Sequence, residues 1–227
     1  MNYRFAAGEK PAMGMWRVVG VLMMGMMGSA LAQETGVINL PPPETAGGMP
    51  LMQALKARHS TREFGSKPLS QQVLSNLLWA ASGVNRPGSG ARTAPSAHDW
   101  REIDVYLTMA DGAYRYDAPT HALVKVAAGD IRHLAGVQEF VASVPLNLVY
   151  VADLKRMNEA SAEDKAFYSA TDTGFIAQNV YLYCASAGLA VVVRGLIDRE
   201  ALGAALGLRR HQRIILAQSV GYPAGVK

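Results

Sequence analysis

The chain has 227 residues, half of them hydrophobic and 18% charged, a size and balance that fit one globular domain with a sizeable core. Its formal charge is +4, but Arg4, Glu9, Lys10 and Arg17 lie in an N-terminal segment expected to be removed. That leaves 19 basic against 17 acidic side chains with no basic block, which excludes a general nucleic-acid binder. Cys184 is the only cysteine, so intramolecular disulfides and metal or redox sites built on paired cysteines are excluded, and its apolar surroundings make it a small core residue.

Residues 1–32 have the pattern of an export signal: Arg17, an apolar run from Val18 to Met27, and small residues at Ser29-Ala30-Leu31-Ala32 placed for cleavage before Gln33. The charge-free stretch Val18–Ala32 is 15 residues, short of the roughly 20 that span a bilayer. A periplasmic or secreted protein with no stable membrane insertion after cleavage is therefore expected, with a retained N-terminal anchor as the alternative. Residues 33–48 form a tail whose Pro41-Pro42-Pro43 and Gly47-Gly48 rule out a helix or central strand, so it should lie extended over the surface or a partner subunit. The folded domain is expected over 49–227.

Met52 to Ala57 can form a short helix that runs into Arg58-His59-Ser60-Thr61-Arg62-Glu63-Phe64, where two guanidinium groups and two hydroxyls fall within five residues. Planar forks of donors beside a small hydroxyl suit a phosphate, although basic residues after a helix also complement its negative end; both readings stand at this point. Ser70 can cap a helix with Val73, Leu74, Leu77, Leu78 and Ala81 on its apolar face and Gly83 as its stop. Residues 84–94, rich in Gly, Ser, Arg and Pro, read as a loop. Ile103, Val105, Leu107 and Met109 alternate with Asp104, Tyr106 and Thr108 as in a half-buried strand, and Asp111-Gly112 turns it into a hairpin.

Asp130 can cap a helix carrying Ile131, Leu134 and Val137, and 145–152 reads as a central strand. Residues 163–189 form a long core helix with small residues at Ala170, Gly174, Ala177 and Ala185, closed by Gly188. A strand at Val191-Val192-Val193, a helix from Asp198 to about Gly207 and a last strand over 214–220 complete the chain, with no internal repeat. Without strict β-α-β alternation the class is α+β.

Four stretches, in order and at fitting separations, resemble the FMN-dependent nitroreductase family, including its azoline-oxidising relatives. They are Arg58 to Phe64, Arg92-Thr93-Ala94-Pro95-Ser96-Ala97, the helix from Gly174 to Leu189, and Gly221-Tyr222-Pro223, so the resemblance spans about 49–223. It implies a nitroreductase-like fold with a central mixed or antiparallel sheet flanked by helices, and a homodimer holding FMN at its interface. By position, Arg58, Ser60 and Arg62 would hold the ribityl chain and phosphate, with His59 contributing its backbone and Lys227 completing the phosphate site. Pro95, Ser96 and Ala97 would lie along the flavin ring, and Val193, Arg194 and Gly195 would pass backbone groups beside its reactive nitrogen.

Asp99 stands where many members of the family have asparagine. An ionised carboxylate accepts a hydrogen bond from the flavin edge but donates none, and its charge disfavours a reduced anion unless Arg101 or Arg194 offsets it. The flavin carries the redox chemistry, so no catalytic dyad is required. His98 is the one candidate proton donor, against the plainer reading of a loop histidine making a local hydrogen bond. Trp100 could close the ring pocket; Tyr114 and Tyr116 either stack on an aromatic substrate or pack the hairpin; Trp79 should be core. His121, His133 and His211 lack metal-ligand spacing and should lie on the surface.

The resemblance thus implies an exported FMN oxidoreductase that passes two electrons by a ping-pong route to a nitroaromatic, quinone or similar small-molecule acceptor. NAD(P)H is the family's electron donor, though an exported enzyme could need another. The alternatives are a flavin-dependent dehydrogenase of a ring or peptide-derived substrate, and a flavin-fold binding protein without turnover.

Overall fold

The computed structural model describes residues 36–225, so the export signal expected at 1–32, the first three residues of the tail and Lys227 lie outside the described residues. Among those described, seven strands form one antiparallel sheet. Its order is β1 (Val37–Asn39), β6 (Ala122–Ala128), β5 (Gly112–Asp117), β4 (Ile103–Met109), β7 (Leu146–Asp153), β9 (Gln212–Gly221) and β8 (Ala190–Arg194). Every pairing is antiparallel, which resolves the expected mixed or antiparallel sheet. Residues 84–94, expected to be a loop, instead form a small hairpin of β2 (Val84–Arg86) and β3 (Ala91–Arg92).

On one face lie α2 (Gln71–Ser82) and α3 (Ala162–Ala187), packed through Leu77, Leu78, Val180 and Cys184 onto Leu107, Leu148 and Tyr150. Each fully buried leucine contributes about 1.5–3 kcal/mol relative to exposure. On the other face Tyr106, Val149, Val151 and Ala217 are covered by Val141 and by Leu202 and Leu206, at and beside α4 (Arg199–Ala205). With both faces covered, β4 is buried from Ile103 to Thr108 rather than half-buried as its alternation suggested. The buried Asp104 is tolerated because both its oxygens accept from Arg156 Nη2, at 3.0 and 2.8 Å.

Local chemistry places the helix ends. Ser70 accepts from Val73 N at 3.2 Å, Ser161 from Asp164 N at 3.0 Å and Asp198 from Ala201 N at 3.0 Å. Gly188 closes α3 in the left-handed region at φ 67°. Gly83 ends α2 for a different reason. Its φ is −72°, but a Cβ there would lie 2.7 Å from Trp79 Cα, so the glycine supplies space. The helix expected after Asp130 is replaced by a 3-10 turn at Arg132–Ala135. The aspartate accepts from the Arg132 backbone and guanidinium, and Val137, 62% exposed, leaves the apolar pattern unburied.

After β1 the chain crosses the outside of α2 as a strap. Ser75 Oγ donates to Pro41 O (2.6 Å), Gln72 Nε2 to Pro42 O (3.0 Å), and Met49 N donates to Ser186 Oγ (2.7 Å). His121 is not a surface residue as expected. It is half-buried beneath the strap, with Nε2 2.7 Å from Ser75 Oγ and Nδ1 2.8 Å from the Tyr116 hydroxyl. Tyr114 and Tyr116 are buried packing residues, which removes them as substrate-stacking groups. Trp79 is half-buried rather than core, its Nε1 donating to Val84 O at 3.3 Å.

Candidate functional site

The helix α1 (Leu51–Ala57) ends at Arg58, and the chain then runs along the outer edge of β8, where Thr61 N donates to Val191 O at 3.0 Å. Tyr181, on α3, ties these pieces together. Its hydroxyl accepts from Val193 N at 2.9 Å and lies 2.7 Å from Ser60 Oγ, while the Arg58 guanidinium sits 5.2 Å from its ring centroid. With the phenolic oxygen accepting from Val193, its own proton can pass to Ser60, leaving the serine O–H for an outside acceptor. Arg58 is half-buried and Arg62 exposed, and neither forms an ion pair among the described residues. His59 turns its ring back onto Ala57 O at 2.8 Å.

The second group of expected residues sits on the loop between β3 and β4. His98, Asp99 and Arg101 all occupy the left-handed region at φ 50–54°. Strain of this kind persists only where surrounding contacts over-determine it. Here Ala97 N donates to Asp172 Oδ2 (2.8 Å), Arg101 N to Ser96 Oγ (2.8 Å), and Ser96 Oγ to Glu102 Oε2 (3.2 Å). Glu102 and Asp172 are both buried, and Glu102 Oε1 has no partner among the described residues. Burial, and secondarily the neighbouring Asp172, push the Glu102 carboxyl above the usual carboxylate range.

Asp99 is paired by Arg101, which gives Nε to one oxygen at 2.7 Å and Nη2 to the other at 2.6 Å; these bonds hold the carboxyl below its ordinary range. Arg101 thus offsets the charge, and Arg194 does not. The Arg194 side chain enters the opposite core, donating to Ala135 O (2.8 Å), Asn147 Oδ1 (2.9 Å) and Ser219 Oγ (3.2 Å). No carboxylate meets it among the described residues, and burial lowers its pKa to about 10. His98 is exposed and packs against Trp100 and Tyr168, with ring centroids 4.5 and 5.9 Å away, in place of the local hydrogen bond expected of it. Trp100 is half-buried within that aromatic cluster.

The two groups are anchored at separate places on α3. Asp172, which holds the 95–97 loop, and Tyr181, which holds the 58–62 segment, are nine positions apart on α3, about 13 Å along the axis and half a turn around it. They mark opposite margins of the helix's buried stripe, with Ile176, Ala177 and Val180 between them. Outside that stripe Phe167 is 62% and Phe175 43% exposed, beside exposed Ala170 and Gly174. Leu51, Met52 and Leu55 of α1 are exposed as well. Gly195 is exposed at the end of β8, past the Val193 amide that Tyr181 engages.

Tyr181, Glu102 and Asp172 were missed in the sequence. The signal for two of them was present: Asp172 and Tyr181 fall on the same three-and-four-residue stripe as Ile176, Val180 and Cys184.

Comparison with known proteins gives concordant matches. The model of the nitroreductase family matches residues 55–222. A Methanocaldococcus jannaschii protein assigned by name to the nitroreductases is 32% identical over 161 residues, 66% of this chain and 81% of that protein. The crystal structure of a Ralstonia eutropha protein, also assigned by name to the nitroreductases, superposes with a TM-score of 0.80 at 47% identity, covering 84% of this chain and 90% of that one. A chain of the E. coli microcin synthetase complex has a TM-score of 0.64 at 20% identity, over 90% of this chain and 84% of its own, a likeness of fold alone.

Proposed function

This chain belongs to the nitroreductase family of oxidoreductases, and from that premise we propose that it binds FMN between two copies of itself and passes two electrons by a ping-pong route to a small electron-poor acceptor. The observation that carries the reading is the clamp, in which Arg58 and Arg62 form no ion pair among the described residues and Tyr181 backs Ser60 and Arg58. Two guanidinium groups that meet no carboxylate among the described residues, beside a hydroxyl whose proton can turn outward, fit a phosphate dianion.

FMN, when bound, supplies the redox chemistry. The chain's own residues bind, orient and exclude water. Arg58, Ser60 and Arg62 hold the phosphate. Pro95, Ser96 and Ala97, held in place by Asp172 and Glu102, give a rigid wall for the ring. Because the wall and the clamp lie on opposite margins of α3, the two parts of one site are proposed to come from different subunits. The exposed apolar residues of α1 and α3 are the surface a second copy would cover. A nitroaromatic or quinone is the proposed acceptor and NAD(P)H a candidate donor. Residues 1–32 are proposed to direct export, which cell fractionation of a tagged chain tests.

The functional reading is tested by recording the visible spectrum of the full chain with added FMN, then adding NADH or NADPH without air. Protein-bound flavin bands that bleach support it. Absence of bound flavin contradicts it, and bound bands that persist with both nucleotides but bleach with another reductant replace only the donor.

A further inference from the structure

A cavity of about 240 Å³ opens between β3, the 95–101 loop and α3, with apolar walls at Ala94, Ile103 and Ile176. Its volume is below the roughly 300 Å³ of a typical whole-ligand pocket, so it has room for one small ring or a fragment. Three guanidinium groups line it, those of Arg86, Arg92 and Arg101, against two carboxylates, Asp99 and Asp172. The acids are already committed: Asp99 takes both donors of the Arg101 edge, and Asp172 accepts from Ala97 N. Arg86 gives its donors to Asn85 Oδ1 and Arg92 O.

Arg92 is the exception. Its Nη1 donates to Ser82 Oγ at 3.1 Å, Nε is shielded from solvent without a partner, and Nη2 makes no hydrogen bond among the described residues. The Nε–Nη2 edge is the one through which an arginine grips both oxygens of a carboxylate. Arg101 uses that edge on Asp99 and Arg132 uses it on Asp130, at 2.9 and 2.6 Å. Arg92 lines the cavity, and its guanidinium meets no carboxylate among the described residues. Nη2 keeps donors that a ligand oxygen in the cavity can accept from.

We infer that this cavity is a carboxylate subsite in which Arg92 grips the acid group of a small aromatic acid while Ala94, Ile103 and Ile176 hold its ring. The inference deepens the proposed function, on which it rests, by naming the substrate class as anionic aromatics. Pro95 and Ser96 of the wall also line the subsite, so an acid held there lies next to the place assigned to the ring.

The test is calorimetric titration of the FMN-loaded full chain with benzoate and with benzamide, a neutral molecule of nearly the same shape. Benzoate is expected to bind at least about ten-fold more tightly, the worth of a charged hydrogen-bonded pair, and Arg92→Gln is expected to remove that preference while leaving benzamide unchanged. Equal affinities for the two probes overturn the inference, and so does a preference that survives Arg92→Gln. Competition between FMN and benzoate also overturns it, because the cavity would then belong to the flavin seat. The wild-type comparison decides the matter even if Arg92→Gln does not fold. The spectrum of the same samples reports FMN separately, so a chain that takes up no flavin defeats the oxidoreductase reading while the probe preference still decides the subsite.

Discussion

Replacing Tyr181 by phenylalanine removes one oxygen and keeps the ring. The lost atom accepts from Val193 N at 2.9 Å and sits 2.7 Å from Ser60 Oγ, so two hydrogen bonds go, while the Arg58 guanidinium keeps its aromatic neighbour. Val193 is half-buried at a sheet edge, so its freed amide gains only partial access to water. The expected loss of stability is about 1–2 kcal/mol, at the lower end of the range for orphaning a buried donor. Ser60 then has no partner fixing its proton toward the phosphate. FMN affinity should fall by about ten-fold, equivalent to roughly 1.4 kcal/mol. Urea unfolding of the flavin-free protein and a flavin-fluorescence titration measure the two effects separately. An unchanged stability together with an FMN affinity within about two-fold of wild type would refute the role given to Tyr181.

Four further outcomes are expected. Arg194→Met should cost about 2–4 kcal/mol in urea unfolding, since Ala135 O and the Asn147 and Ser219 side chains lose their shared donor. Gly136→Ala places a methyl on the same guanidinium, so the double variant should be less damaged than the two single changes added together. Glu102 is held above its ordinary pKa of 4.5, so the native state binds the extra proton and this group's contribution falls as pH rises through that region. Glu102→Gln should therefore stabilise the protein at pH 7, with the gain shrinking to nothing below the ordinary value; a gain that does not change with pH contradicts this. His121 is shifted the other way, below its ordinary 6.5, by burial. The unfolded chain then binds more protons, stability falls as pH drops through that value, and hydrogen exchange at Leu40 and Glu44 should speed up in parallel.

The sequence was most legible where local chemistry decides the outcome. Ser70, Asp198 and Gly188 fix helix ends through their own side chains or φ angles, and the structure agrees at each. It was less legible where a distant element decides. The alternation of β4 looks half-buried until Arg156, more than fifty residues on, supplies a partner for Asp104. Asp130 has a capping side chain, but Arg132 captures it and the helix does not form. Glu102 gives no local hint of burial, because the groups that enclose it come from α3 and the loop before it. The clamp at Arg58, Ser60 and Arg62 was readable from residue types alone. Its backing by Tyr181 required knowing that α3 passes behind it, and which of Arg101 and Arg194 offsets Asp99 was not readable because the face of a strand a residue uses depends on register.

The claim that one site is built by two chains is tested most directly by complementation. One chain carries Arg58→Ala with Ser60→Ala, the other Ala97→Glu, and the two are co-expressed with different tags so that the mixed dimer can be isolated. Each variant alone should bind no FMN, and the mixed dimer should hold one FMN per pair of chains, since it contains one intact clamp facing one intact wall. A mixed dimer as empty of flavin as its parents would show that each chain completes its own site and would contradict the account.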